Sequence, residues 1–245
     1  MNKITAIRAG KSRQQRVNVF LDGKFAVSLE AELAAKAGLQ VGQELPDSQM
    51  KALAMSNHFH RCLNAALHYL SYRPRSESEM RERLEQRGFD GDSVEAVLTK
   101  LKEQGLVDDV AFAQFWKDNR ESFSPRSQWL TKLELRRKGV AADIIDQVVT
   151  EIHDDESAYR AALGKARGLP LSDREGFRHR LGYYLKRRGF NYEVISHTVE
   201  RIWQEQGSSS KQRYRDTKSG MSVVLPYSLP PPTGKNRKEG DEKWE

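Results

Sequence analysis

Lysines and arginines concentrate in three short windows of this 245-residue chain. Residues 81–87, 132–138 and 178–188 hold 12 basic and 3 acidic side chains, a net +9 against +7 for the whole protein, so everything else sums to −2. Charge placed this way suits an anionic partner, through charge-assisted contacts to phosphates or carboxylates. The candidate contacts are Arg81, Arg87, Lys132, Arg136, Lys138, Arg180, Lys186, Arg187 and Arg188, set away from the apolar positions Leu84, Leu135 and Leu185. The ordinary role of any one of them is a solvated cation near a helix C-terminus, where it complements the dipole. The set therefore carries more weight than a member. Tyr183 and Tyr184 have the chemistry to stack on bases, although their spacing sends one of them into a core. Between the basic windows, Asp143 to Glu156 carries six carboxylates and no lysine or arginine.

Other chemistries find little support. His58, His60, Cys62 and His68 are metal-ligand types, but on a helix His58 and Cys62 share a face while His60 lies nearly opposite, so they do not converge on zinc. Gly10-Lys11-Ser12 imitates the end of a phosphate loop, yet the earlier glycine that loop requires would fall at Thr5 and no following helix fits. No nucleophile elbow or repeated histidine and carboxylate grouping occurs, so neither a catalytic residue nor a cofactor is expected. A single cysteine makes no internal disulfide. Nothing approaches 18 consecutive apolar residues and the start has no signal-peptide core, which predicts a soluble cytoplasmic protein with no membrane contact.

The elements that must position the cations follow a repeat. Leu84 and Gly88 precede Val94, Val97, Leu98 and Leu101; Leu135 and Gly139 precede Ile145, Val148, Val149 and Ile152; Leu185 and Gly189 precede Ile195, Thr198, Val199 and Ile202. The glycines stand 51 and 50 residues apart. Each copy reads as a helix stopped by a glycine, a short turn, and a second helix with one apolar face. Pro74-Arg75-Ser76 and Pro125-Arg126-Ser127 recur at the same place before their glycines, and Ser76 with Glu79 forms a capping-box pattern. Glu175-Gly176-Phe177 replaces that motif in the third copy, whose helix is expected to start near Ser172. Adding one preceding helix gives three-helix units of about fifty residues, too small to be comfortable alone and suited to stacking.

The fold class is therefore mainly α: an elongated array of three tandem three-helix repeats, with a small β-containing N-terminal domain and a disordered C-terminal tail. The expected divisions are 1–57 for the β-containing domain, then repeats at 58–109, 110–153 and 154–206, then the tail 207–245. In the first of these, RVNVFLDGKFAVSL alternates about an Asp22-Gly23 hairpin turn, with Lys3 to Arg8 as a third strand. Short helices near Glu30 to Ala37 and from Asp47 to Asn57 would cover one face of the sheet. The tail has serine, glycine, proline and mixed charge without a periodic face.

The stretch GLVDDVAFAQFWKDNRESFSPRSQWLTKLELRRKGV, with KRRGFNYEVI further on, resembles the RecX family of bacterial recombination regulators over about residues 60–206. VFLDGKFAVSL is similar to the N-terminal extension of longer members. The resemblance implies tandem three-helix repeats and a regulatory protein of DNA repair, recombination and the SOS response. It implies binding to the RecA recombinase filament, restraining growth, ATPase and strand exchange, with single-stranded or duplex DNA as a secondary contact. The expected form is a monomer. Two other classes stay open: a direct nonspecific DNA-binding protein, and a helical scaffold for an acidic protein partner.

Overall fold

The structure, a computed structural model, describes residues 2–10 and 16–218, with side chains as far as residue 207. Met1–Ile202 cluster as one compact unit and Trp203–Glu245 as another. The sheet, the cores of the three-helix units and every joint between them belong to the first.

Strands β1 (Asn2–Ala9), β2 (Arg16–Leu21) and β3 (Lys24–Glu30) form an antiparallel sheet, extended by the two-residue β4 (Glu44–Leu45) in the order β3-β2-β1-β4. Asp22 and Gly23 both take positive φ, 48° and 80°, the geometry that lets a two-residue turn follow the twist of its strands. A register shift after Val19 places Phe25 opposite Phe20 and leaves Leu21 opposite Lys24. Ile4, Val19, Leu21, Leu29 and Leu45 form the core under the sheet, with α1 (Ala31–Lys36) and the start of α2 (Asp47–Leu70) packed on it.

That second helix overrides an expected division. It runs unbroken for 24 residues, so the covering helix of the sheet and the first helix of the first repeat are one rod. Met50 and Leu53 pack on the sheet core, while Cys62, Ala65 and Ala66 enter the first repeat. Asn57, 5% exposed at the point where a boundary was expected, binds β3 twice: its Oδ1 accepts from Glu30 N at 3.2 Å and its Nδ2 donates to Ser28 O at 3.2 Å. With no proline or glycine between Asp47 and Leu70, nothing stops helical hydrogen bonding there.

The remaining helices follow in groups of three. The first repeat adds α3 (Glu77–Gln86) and α4 (Gly91–Glu103) to α2. The second comprises α5 (Asp109–Phe123), α6 (Gln128–Arg137) and α7 (Ala142–Val149); the third comprises α8 (Asp154–Ala166), α9 (Arg174–Lys186) and α10 (Tyr192–Lys218). The apolar positions of the first two copies are the cores, with Val94, Val97, Leu98 and Leu101 at most 1% exposed; in the third copy Thr198, Val199 and Ile202 are buried, but Ile195 is half-buried and the neighbouring Val194 takes the core position. Each such aliphatic burial is worth about 2 kcal/mol. The helix of the third repeat continues through Lys218, beyond the expected start of the tail, and the rest of that tail lies outside the described residues.

Ser76 and Ser127 cap α3 and α6, accepting from the third helical N–H in each case at 3.1 Å. The cap of α9 is Asp173, one residue past the expected start, accepting from Gly176 N at 2.8 Å. The anticipated capping box is only half made, because the Glu79 carboxylate turns to Arg73 and Arg75 instead of reaching back to the helix start.

The capped starts are also where one unit meets the next. Ser76 Oγ donates to Lys138 O at 2.5 Å, and Ser127 N donates to Arg188 O at 3.0 Å. In both cases the serine of one repeat binds the residue before the glycine of the following repeat. The next free N–H of each helix is taken by the first residue of that following repeat: Glu77 N donates to Asp109 Oδ1 at 2.8 Å and Gln128 N to Asp154 Oδ1 at 2.7 Å. Gly139 and Gly189 lie at φ 74° and 87°; a Cβ on Gly139 would overlap the Ser78 side chain, and one on Gly189 would lie 2.7 Å from Leu130 Cβ. Gly88 has the same positive φ but open space beyond it, having no earlier repeat to meet. The third repeat, which has no further three-helix unit after it among the described residues, is the one without Pro-Arg-Ser.

These joints separate two costs of replacing a glycine. Gly88→Ala should cost only the left-handed backbone penalty of about 1–2 kcal/mol, whereas Gly139→Ala should add the clash with Ser78 and lose roughly twice as much or more. Urea denaturation of the two variants measures the difference.

Candidate functional site

The nine cations singled out in the sequence divide by what surrounds them. Arg81 and Lys132 are cross-braces inside their units. Arg81 Nε donates to Glu95 Oε1 at 2.7 Å and its Nη2 to Glu77 Oε1 at 2.8 Å, tying α3 to α4. Its hydrogen bonds to the Glu95 and Glu77 carboxylates push its pKa further up. Lys132 Nζ does the same work between α6 and α7, on Asp146 Oδ1 at 2.8 Å. Its hydrogen bond and charge hold the Asp146 carboxyl below the usual range.

Lys138 and Arg188 belong to the joints. Lys138 lies 5.3 Å from the centre of the Trp116 ring and 3.5 Å from Glu79 of the preceding repeat. Arg188 lies 4.6 Å from the Tyr184 ring and donates to Ser124 Oγ at 3.1 Å and Pro125 O at 2.9 Å, both in the preceding repeat. Two glutamates collect the arginines around these seams. Glu79, 9% exposed, receives Arg73 and Arg75; Glu134 receives Arg120 at 2.8 Å, Arg126, and Trp116 Nε1 at 2.8 Å. Burial raises the Glu79 carboxyl, but the Arg73 hydrogen bond and the charges of Arg73, Lys138 and Arg75 outweigh it, so the pKa is lowered. Asp109 and Asp154 go the other way: burial raises both, against the backbone N–H each accepts.

The other five cations are exposed. Arg136 and Arg137 stand three and two residues before Gly139, and Lys186 and Arg187 occupy the same places before Gly189, so an exposed cation pair repeats from the second unit to the third. The first unit has Glu85 and Gln86 there. Arg87 lies 5.9 Å from the Tyr69 ring and borders a cleft of about 590 Å³ beside Arg16, Arg61 and His68, with Glu30 and Glu32 in its wall. Arg180 stands 3.9 Å from Asp173. The nine thus do not converge on one point. Arg137, equivalent to Arg187 and equally exposed, was legible from the repeat register but was left out of the sequence-based set. Tyr192, 82% exposed, gave no sequence signal of its own, and Tyr183 is 60% exposed while Tyr184 is half-buried.

The histidine and cysteine group is spread as the helix geometry requires. His58 pairs with Asp90 at 2.7 Å, and Cys62 is wholly buried, its thiol pushed up to about 11 by burial and then by the Asp90 charge. No cluster of His, Cys, Asp and Glu able to hold a metal occurs among the described residues. Gly10 closes onto Arg16 O at 2.8 Å, while Lys11 and Ser12 of the phosphate-loop lookalike lie outside the described residues. No described helix is long and apolar enough to cross a membrane.

A four-stranded sheet joined by one helix to three serine–glycine-jointed helical units defines a tandem three-helix-repeat protein. Known proteins match it along nearly its whole described length. The model for the RecX N-terminal domain matches residues 2–46, and that for the first three-helix domain of RecX matches 62–101. Regulatory protein RecX of Clostridium perfringens strain SM101 is 30% identical over 207 residues, covering 82% of this chain and 97% of that protein. The Clostridium beijerinckii protein of the same name is 29% identical, covering 82% and 96%. A crystal structure of regulatory protein RecX superposes with a TM-score of 0.57 at 28% identity, over 82% of this chain and all of that one. RecX from Lactobacillus salivarius, at 22% identity and a TM-score of 0.51, shares the fold. The chain belongs to the RecX family of regulatory proteins.

Two outcomes follow from the geometry. Arg136→Glu with Lys186→Glu should leave the melting temperature within a few degrees, while Lys138→Glu or Arg188→Glu, each placing a carboxylate in a joint, should lower it clearly in a calorimetric scan. Glu79 is held below 4.5 in the folded state, so its stabilisation is complete above that value and disappears as pH falls through the lower folded one. Glu79→Gln should therefore flatten the acid limb of stability against pH and cost about 3 kcal/mol at neutral pH.

Proposed function

We propose that this chain is a RecX-type modulator that binds the nucleoprotein filament of a RecA-type recombinase and restrains its recombinase and ATPase activity. The observation that carries this reading, beside family membership, is the exposed cation pair repeated at the same place in successive units, Arg136–Arg137 and Lys186–Arg187. A nucleoprotein filament is itself periodic, offering anionic backbone and protomer edges at regular intervals, and a stacked array bearing repeated charge can meet more than one of them. Bridging successive protomers opposes the relative movement needed for ATP turnover. Covering an end opposes addition. The action is steric and conformational, performed by a cytoplasmic monomer without an enzymatic step, and contacts to single-stranded or duplex DNA support it.

Titration into recombinase, single-stranded DNA and ATP tests the reading. The wild-type chain should suppress ATP hydrolysis, and the quadruple variant with Arg136, Arg137, Lys186 and Arg187 changed to glutamate should require at least about tenfold more protein. Each phosphate neutralised should add roughly 0.9 to the salt slope of binding. Absence of suppression together with tight, salt-dependent binding to naked DNA would replace this reading with a direct DNA-binding one. Absence of both would favour a scaffold for an acidic protein.

A further inference from the structure

Seven residues before and seven residues after the repeat glycine, the first two units place a cation opposite a carboxylate. These are the braces Arg81–Glu95 and Lys132–Asp146, at 2.7 and 2.8 Å. The third unit has Gly182 and Ser196 at those positions. The ion pair between α9 and α10 is made elsewhere, by Arg174 on Glu200 at 3.1 Å, and at the unbraced position a groove of about 400 Å³ lies between the helices, with Gly182 and Ser196 in its wall. A Cβ on Gly182 would meet only Ile195 Cγ2, at 3.5 Å, an ordinary contact, so close packing does not require the glycine.

The surroundings of this groove are of one kind. Ile195 and Val199 contribute apolar surface, Tyr183 and Tyr192 stand beside it 60% and 82% exposed, and exposed Arg178 and Lys186 complete the lining, with no carboxylate among the lining residues. Two accessible aromatic rings, an apolar wall and cations a few residues away match what a nucleotide of a flexible strand presents: a π-face flanked by phosphodiesters. Duplex DNA fits less well, because its bases are stacked away from such rings. We propose that the α9–α10 groove is a binding site for single-stranded nucleic acid, holding an unstacked base against Tyr183 and Tyr192 and its neighbouring phosphates on Lys186 and Arg178. The site depends on the absence of a brace at Gly182 and Ser196, the pair of positions that is bridged in the other two units. It gives a place to the single-strand contact of the proposed function, and because naked strand suffices for the test it can fail without the filament reading failing.

The test restores the brace. Gly182→Lys with Ser196→Asp copies the pair of the second unit, leaves net charge unchanged and fills the groove. Anisotropy of a labelled 20-nucleotide oligothymidylate with the full chain should show binding weakened at least about tenfold by this double variant, and weakened about 5- to 100-fold by Tyr183→Ala with Tyr192→Ala. The latter changes exposed rings only, and keeps the test valid if the restored brace prevents folding. An oligonucleotide abasic throughout should bind as weakly to the wild type as thymidylate does to the variants. Wild-type affinity in either folded variant, equal binding of the abasic strand, or no binding of thymidylate to the wild type would overturn the site. Loss of ATPase suppression with unchanged thymidylate binding would overturn it too, by showing that the groove receives a protein surface. Retained suppression with lost thymidylate binding would support it and leave the filament reading intact.

Discussion

A serine at the start of one helix, seated against a left-handed turn in the next repeat, fixes how these units stack. The turn must be glycine for two reasons acting together: its φ is positive, and the neighbouring helix leaves no room for a Cβ. The serine satisfies backbone groups on both sides, capping its own helix and binding a carbonyl of the following unit at Ser76. An aspartate at the start of the following unit then takes the next unsatisfied N–H, so neighbouring repeats complete each other's helix termini. Small units that cannot bury much apolar surface alone are thereby held by directional contacts as well as area.

In the second and third repeats the second helix also carries net positive charge, so stacking and binding compete for the same side chains. Cations facing the seam turn inward: Lys138 and Arg188 lie near aromatic rings, and Arg73, Arg75, Arg120 and Arg126 gather on Glu79 and Glu134. Those on the far side of the helix end remain in water. Charge reversal across the whole set would mix loss of a binding contact with loss of a joint, which is why geometry, not charge alone, must choose the surface available to a partner.

The third unit departs from the other two in chemistry while keeping their fold. Its first helix packs through Ala158, Ala161, Ala162 and Ala166, its second starts with Asp173 in place of Pro-Arg-Ser, and its interhelical ion pair is Arg174–Glu200, leaving Gly182 and Ser196 where the other units are braced. Its core persists because Phe177, Leu181, Leu185 and Val199 still supply the buried face. Stability through the core leaves the groove between α9 and α10 free to vary.

The repeat glycines, the apolar sets behind them and the Asp22-Gly23 hairpin were legible in the sequence, because helix and strand periodicity and positive φ leave marks in residue type and spacing. So was the family, carried by motifs spread over most of the chain. Continuity of α2 was not, since an uninterrupted helical pattern looks the same whether it serves one core or two. The fate of each cation was also hidden: Lys138 and Arg136 are two residues apart in one basic run, and only the approach of the preceding repeat, bringing Glu79 near Lys138, turns one into a joint and leaves the other exposed. Sequence determined the glycine stops and the apolar faces of the repeat helices, because those are local rules; tertiary structure alone decided which charges stay free, because that depends on what packs beside them from some sixty residues away.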